Sequence, residues 1–153
     1  MSAPRLALAV SLCVAGVLAI AGSAGAEADP TQFSYHAGMN GPTEVPGPGD
    51  RNGSGQAVIT VDTVTGEICF DLKVRNIAPA AAAHIHEAPK GSPGPIVVTL
   101  TPPTSGSSSG CVVDLTQARA IADDPSAYYV NVHNADFPDG AVRGQLHGRP
   151  DRS

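Results

Sequence analysis

The stretch AAAHIHEAP, residues 81–89, sets His84 and His86 two positions apart. The chain has five histidines in all, so this pair is a local concentration. On an extended strand, side chains at i and i+2 share one face, with backbones about 6.5–7 Å apart. Both imidazoles can then reach one ion. A third ring nitrogen from a neighbouring strand would complete a set suited to Cu(II) or Zn(II). His133, in the stretch YYVNVH, is the candidate third ligand. Glu87 falls on the opposite face and is not counted with them. The alternative for the same histidines is a polar outer face, hydrogen-bonded to Asn131, Gln145 or a backbone carbonyl.

Two more polar groups belong with this set. In VRGQLH, Arg143, Gln145 and His147 alternate against Val142 and Leu146. If the strands bearing these segments are neighbours, Arg143 and His147 join the histidines on the outside of the sheet. Arg143 then either guides an anion or pairs structurally with Asp136 or Asp139. Other motifs carry less. Gly106–Gly110 matches G-x-S-x-G in letters, but a nucleophile elbow needs a strand before it and a helix after it. Asp123, Asp124, Asp136 and Asp139 read as turn and cap residues. No catalytic residue is assigned.

The elements that must position these groups are short strands. Gly (17) and Pro (14) interrupt the chain too often for long helices. The spacing predicts strands at Gln32–Gly38, Gln56–Asp62, Glu67–Arg75, Ala82–Glu87, Ile96–Leu100, Cys111–Leu115, Ala127–His133 and Val142–Leu146. The clearest alternates Ile68, Phe70, Leu72 and Val74 with charged residues, the pattern of a half-buried antiparallel strand. Residues 101–110, TPPTSGSSSG, read as a flexible linker loop. Thr116–Asp123 reads as one short helix with Thr116 as N-cap. About eight strands and one helix imply an all-β fold, an antiparallel β-sandwich or Greek-key barrel.

Charge and hydropathy limit the partners. Arg5, the apolar run Leu6–Ile20 and the small residues Ala24–Ala26 form the three-part pattern of a secretory signal peptide over residues 1–26. The run is shorter than the roughly 20 residues of a membrane span. Its removal takes away one arginine and no acid, moving the net charge from −5 to −6. An acidic chain without a basic face is a poor partner for nucleic acid or anionic lipid. No second long apolar run predicts a membrane span in the mature chain. The two cysteines left, Cys69 and Cys111, read as a disulfide in an exported protein. Residues 149–153 read as a short polar tail, and the chain is expected to be secreted and released.

The segments AHIHEAPKGSPGPIVVTL and YYVNVHNADFPDGAVRGQL, with GQAVITVDTVTGEICFDLKVRNI upstream, resemble the CHRD domain. That family is named after the animal protein chordin and is common in exported bacterial proteins. The resemblance covers about Thr31–Leu146, within a domain set at 31–148. It implies an all-β, immunoglobulin-like or barrel-like domain outside the cytoplasm, and little about activity. AHIHEAPKGSPGP also resembles, more distantly, the H-x-H strand of copper/zinc superoxide dismutases. By that likeness His84 and His86 are a copper pair and His133 the late ligand. No histidine lies between Pro89 and Gly110, so the bridging ligand and zinc loop of that family are absent.

Two functional expectations follow. The favoured one is a secreted, disulfide-linked, non-enzymatic binding or structural module with an extracellular protein or surface partner, for which no cofactor is assigned. The alternative is an extracytoplasmic copper- or zinc-binding protein, a carrier or a dismutase-like enzyme, that uses His84, His86 and His133.

Overall fold

The computed structural model describes residues 29–151. The leader expected over residues 1–26 lies outside the described residues. Nine strands and one α-helix follow in order: β1 (Gln32–Asn40), β2 (Ser54–Asp62), β3 (Glu67–Arg75), β4 (Ala80–Glu87), β5 (Ile96–Leu100), β6 (Ser107–Val113), α1 (Leu115–Asp123), β7 (Tyr128–Asn134), β8 (Val142–Gln145) and β9 (His147–Asp151). The sheet order is β5-β4-β7-β8-β1-β2-β3-β6, with β9 also on β1, and every pairing is antiparallel. The sheet curls into a nearly closed barrel, the all-β architecture the alternation predicts.

Alternation decides what fills it. Tyr35, Ala37 and Met39 on β1, Ala57, Ile59 and Val61 on β2, and Ile68, Phe70, Leu72 and Val74 on β3 are all buried. Ile85, Val130, Val132 and Val142 complete the interior from the other half. Each such aliphatic side chain contributes roughly 1.5–3 kcal/mol on burial. Helix α1 buries Ala118 and Ile121 against this core, and the Tyr35 hydroxyl donates to the Ala122 carbonyl at 3.3 Å. Among the described residues no helix is long and apolar enough to cross a membrane.

Three local readings are corrected. Ser107–Gly110 is not linker but the first half of β6, paired with β3 from Lys73↔Ser107 to Glu67↔Val113. The ladder to a strong neighbour outweighs the weak strand preference of Ser and Gly. Gly110 also leaves space that Phe70 fills, since a Cβ there would lie 3.0 Å from the ring. The helix is capped by Asp114, not Thr116: the Asp114 carboxylate accepts from the Gln117 N–H at 3.0 Å. The segment read as a polar tail holds the end of β9, where Ser34 pairs with Asp151 and His36 with His147. β8 has four residues and matches β1 at Asn40. The rest of that β1 edge is left for β9.

Cys69 and Cys111 face each other across β3 and β6 and are joined by a disulfide spanning 42 positions. Closing a loop of that length stabilises by about 4 kcal/mol in the chain-entropy model. The Cys69→Ala/Cys111→Ala variant should therefore lose up to about 4 kcal/mol in denaturant unfolding. Its far-UV circular dichroism should stay unchanged, because the β3–β6 ladder does not depend on the bond.

Candidate functional site

With Ile85 in the core, β4 turns His84 and His86 to its other face. Register then selects their neighbours on β7: Ala82 pairs with His133, His84 with Asn131, and His86 with Tyr129. On β8, Asn131 pairs with Arg143 and Tyr129 with Gln145. Three adjacent strands thus bring His84, His86, His133, Asn131, Tyr129, Arg143 and Gln145 onto one face.

That face is not an open outer surface. The loop between β4 and β5, residues 88–95, folds over it. The Gly94 carbonyl accepts from His86 Nδ1 at 2.9 Å, and the Ala88 carbonyl accepts from Gln145 Nε2 at 2.8 Å. The Pro89 carbonyl accepts from Arg143 Nη2 at 3.4 Å, and the Gly94 N–H donates to the Tyr129 hydroxyl at 3.3 Å. His86, Tyr129, Asn131 and Arg143 are consequently buried, while His84 and His133 keep partial exposure. Tyr129 is sandwiched between two flat groups. The His86 ring stacks 4.7 Å away at 8°, and the Arg143 guanidinium lies 3.4 Å from the ring centre.

The three histidines converge. One nitrogen from each can be chosen so that all lie within 4.8 Å of one another. His84 Nδ1 is 3.1 Å from His133 Nε2, and His86 Nε2 is 3.0 Å from Asn131 Oδ1. A backbone carbonyl sets one tautomer. His133 Nδ1–H donates to the Pro138 carbonyl at 2.9 Å, so His133 Nε2 carries a lone pair. Both nitrogens of His86 face oxygens, the Gly94 carbonyl and Asn131 Oδ1, so an ion at His86 Nε2 would need the Asn131 amide turned. Carbonyls on the far nitrogen are the usual support of a metal-binding histidine. Burial, then the neighbouring His133 and His86, lowers the His84 pKa to about 4. Burial also lowers that of His133, against the opposing Pro138 hydrogen bond. Both rings are therefore neutral at pH 7, the state that ligates. Nitrogens around one Zn(II) or Cu(II) sit roughly 3.3–3.5 Å apart at bond lengths near 2.0–2.1 Å. Small ring rotations reach that spacing, so the donor set fits such an ion.

His147 does not join them: it is exposed on β9, opposite His36 of β1. Arg143 does not pair with Asp136 or Asp139. The one ion pair among the described residues is the exposed Lys73–Asp71, at 3.3 Å. The acid that feels the Arg143 charge is Glu44, which the sequence reading missed because it sits in a Gly/Pro-rich loop without periodicity. Glu44 is 4% exposed and Arg143 2%. Gly140 leaves room for the Glu44 carboxylate, since a Cβ there would overlap it. The carbonyls of Gly94 and Pro138 were missed too. The signal that marks them is a Gly/Pro cluster soon after each histidine strand.

Burial raises the Glu44 pKa from 4.5 to about 7, with the Val45 N–H and Arg143 pulling the other way. A carboxyl raised on folding favours the native state below its unfolded pKa, and that contribution is lost as pH climbs through the folded value. Glu44→Gln should therefore match the parent near pH 4. It should be more stable by up to roughly 3 kcal/mol above pH 7, as read by chemical unfolding at both pH values.

A family model described as the CHRD domain matches residues 35–146, from the core tyrosine of β1 to the residue after β8. Comparison with curated proteins gives no match, and neither does comparison with solved structures.

Proposed function

This chain belongs to the CHRD domain family, and on that premise we propose that it is an exported, non-catalytic module that binds an extracellular protein or surface partner. The family match carries the reading, because it takes in nearly the whole barrel. The Cys69–Cys111 disulfide supports it, since such bonds persist in oxidising compartments. The apolar leader pattern of residues 1–26 supplies a route there. Expression of the full chain in an export-competent host tests this. Mass spectrometry of the exported fraction should find a chain starting at Glu27 with no free thiol. A product held in the cytoplasm with both thiols reduced would sink the reading.

A second reading is favoured by the convergence of His84, His86 and His133. The neutral His84 and His133 rings, and the carbonyl-set tautomer of His133, suit copper or zinc, held as by a carrier or at a dismutase-like centre. When bound, such an ion would supply Lewis acidity or, for copper, one-electron chemistry. The protein's part is to hold three nitrogens beneath the loop over β4 and β7 and to limit water there. Calorimetry near pH 7 should give one Cu(II) or Zn(II) per chain at about micromolar Kd or tighter. The His84→Ala/His86→Ala variant should bind at least about tenfold more weakly. Equal, weak binding by both proteins would leave the histidines as a hydrogen-bonded polar layer.

A further inference from the structure

Among the described residues the sheet has two free edges, β5 and β6, and they are built differently. β5 has five residues, follows Pro95, and pairs with β4 through a register shift at Ile85/His86. Shortness, a proline and an irregularity are the usual ways a protein keeps an edge from pairing. β6 has none of them. It runs seven residues, SSSGCVV, without charge, proline or break in its register with β3.

The free backbone groups of β6 can be assigned. Val74 N–H donates to the Gly106 carbonyl at 2.8 Å, and Asp114 N–H donates to the Gly66 carbonyl at 2.8 Å. In an antiparallel ladder the residues two apart repeat this bonding. Ser108, Gly110 and Val112 therefore point their backbone groups at β3. Ser107, Ser109, Cys111 and Val113 point theirs at the open side. The same four residues are exposed, Val113 to 75%.

The geometry points to β6 as a self-pairing edge: two copies of this chain join their β6 strands antiparallel about a two-fold axis at Gly110. Ser109 of one copy then faces Cys111 of the other, both with outward N–H and C=O, the pairing antiparallel bonds require. Charge selects a second copy in this orientation. The face of β3 that alternates away from the core has Glu67 at one end, with Asp114 beyond, and Lys73 and Arg75 at the other; Asp71 lies between the two ends, in an ion pair with Lys73. Antiparallel pairing sets each copy's acidic end against the other's basic end. Parallel pairing would set like against like. With strands about 4.8 Å apart, the two β3 strands lie about 14 Å apart, beyond one Debye length at physiological salt, so this preference acts at low ionic strength. The uncharged β6 lets copies of a chain of net charge −5 approach here without charges facing directly. The pairing is independent of metal binding, since the histidines lie on β4 and β7.

Sedimentation velocity on the purified, disulfide-intact chain tests this. Pairing through a single strand edge predicts a weak dimer, with Kd of about 10–100 µM, weakening as salt rises. Ser109→Pro removes an outward N–H and leaves the β3 ladder bonds in place. Ser109→Lys puts a charge on each side of the axis. Both should weaken the dimer at least about tenfold while keeping the parent's circular dichroism spectrum and cooperative unfolding. A parent that stays monomeric to about 500 µM would overturn the proposal. So would folded variants that dimerise as the parent does, because another face would then be responsible.

Discussion

The pairing of β4 with β7 is the constraint on which the site depends. One register places Ala82 beside His133, His84 beside Asn131 and His86 beside Tyr129. A slip of one residue would turn Ile85 outward and drive the histidines into the core. The apolar residues between the polar ones, Ile85, Val130 and Val132, hold this register by being fully buried. The site is thus fixed from behind. Burying the hydrophobic side chains leaves the imidazoles one place to go, and β7 supplies the partner.

What happens in front is set by the loop of residues 88–95. Its carbonyls accept from His86, Arg143 and Gln145, leaving Arg143 Nη1 and Gln145 Oε1 without a partner, and so convert a sheet surface into a thin buried polar layer. Burial without hydrogen bonds would cost several kcal/mol per polar group. Here the Gly/Pro-rich backbone meets most of that need. The same covering presses imidazole, phenol and guanidinium into one stack, and it keeps His84 and His133 neutral.

The legible part of the fold was the part written in side-chain alternation. β2, β3 and β5 could be read almost to the residue, because period-two patterning assigns faces directly. It also put His84 and His86 on one face, but patterning does not give strand order, and the place of His133 beside them follows only from the pairing of β4 with β7. The misread parts are held by backbone or by distant packing. Ser107–Gly110 and the end of β9 gain strand structure from hydrogen bonds to β3 and β1, which any side chain permits. Asp114 and Thr116 are both acceptable caps, and the end of β6 decides between them. Glu44 and Arg143 share a buried environment because Gly140 gives up its side chain. Nothing in the local sequence of Glu44 marks it. His147 shared the expected alternation of Arg143, but the chain passes from β8 to β9 just before it and carries it to β1.

The place of β1 also bears on the order of assembly. Its first neighbour, β2, follows at once, whereas its second edge is closed by β8 and β9 near the other end of the described chain. Synthesised from its N-terminus, the polypeptide can form the β1–β2–β3 meander early. The far side of β1 then stays open until some hundred further residues exist to cover it. Such distant contacts demand a large loop-closure entropy before they return any stabilisation. The barrel therefore closes only after its last strands have been synthesised, and until then the β1 edge stays available for other pairings.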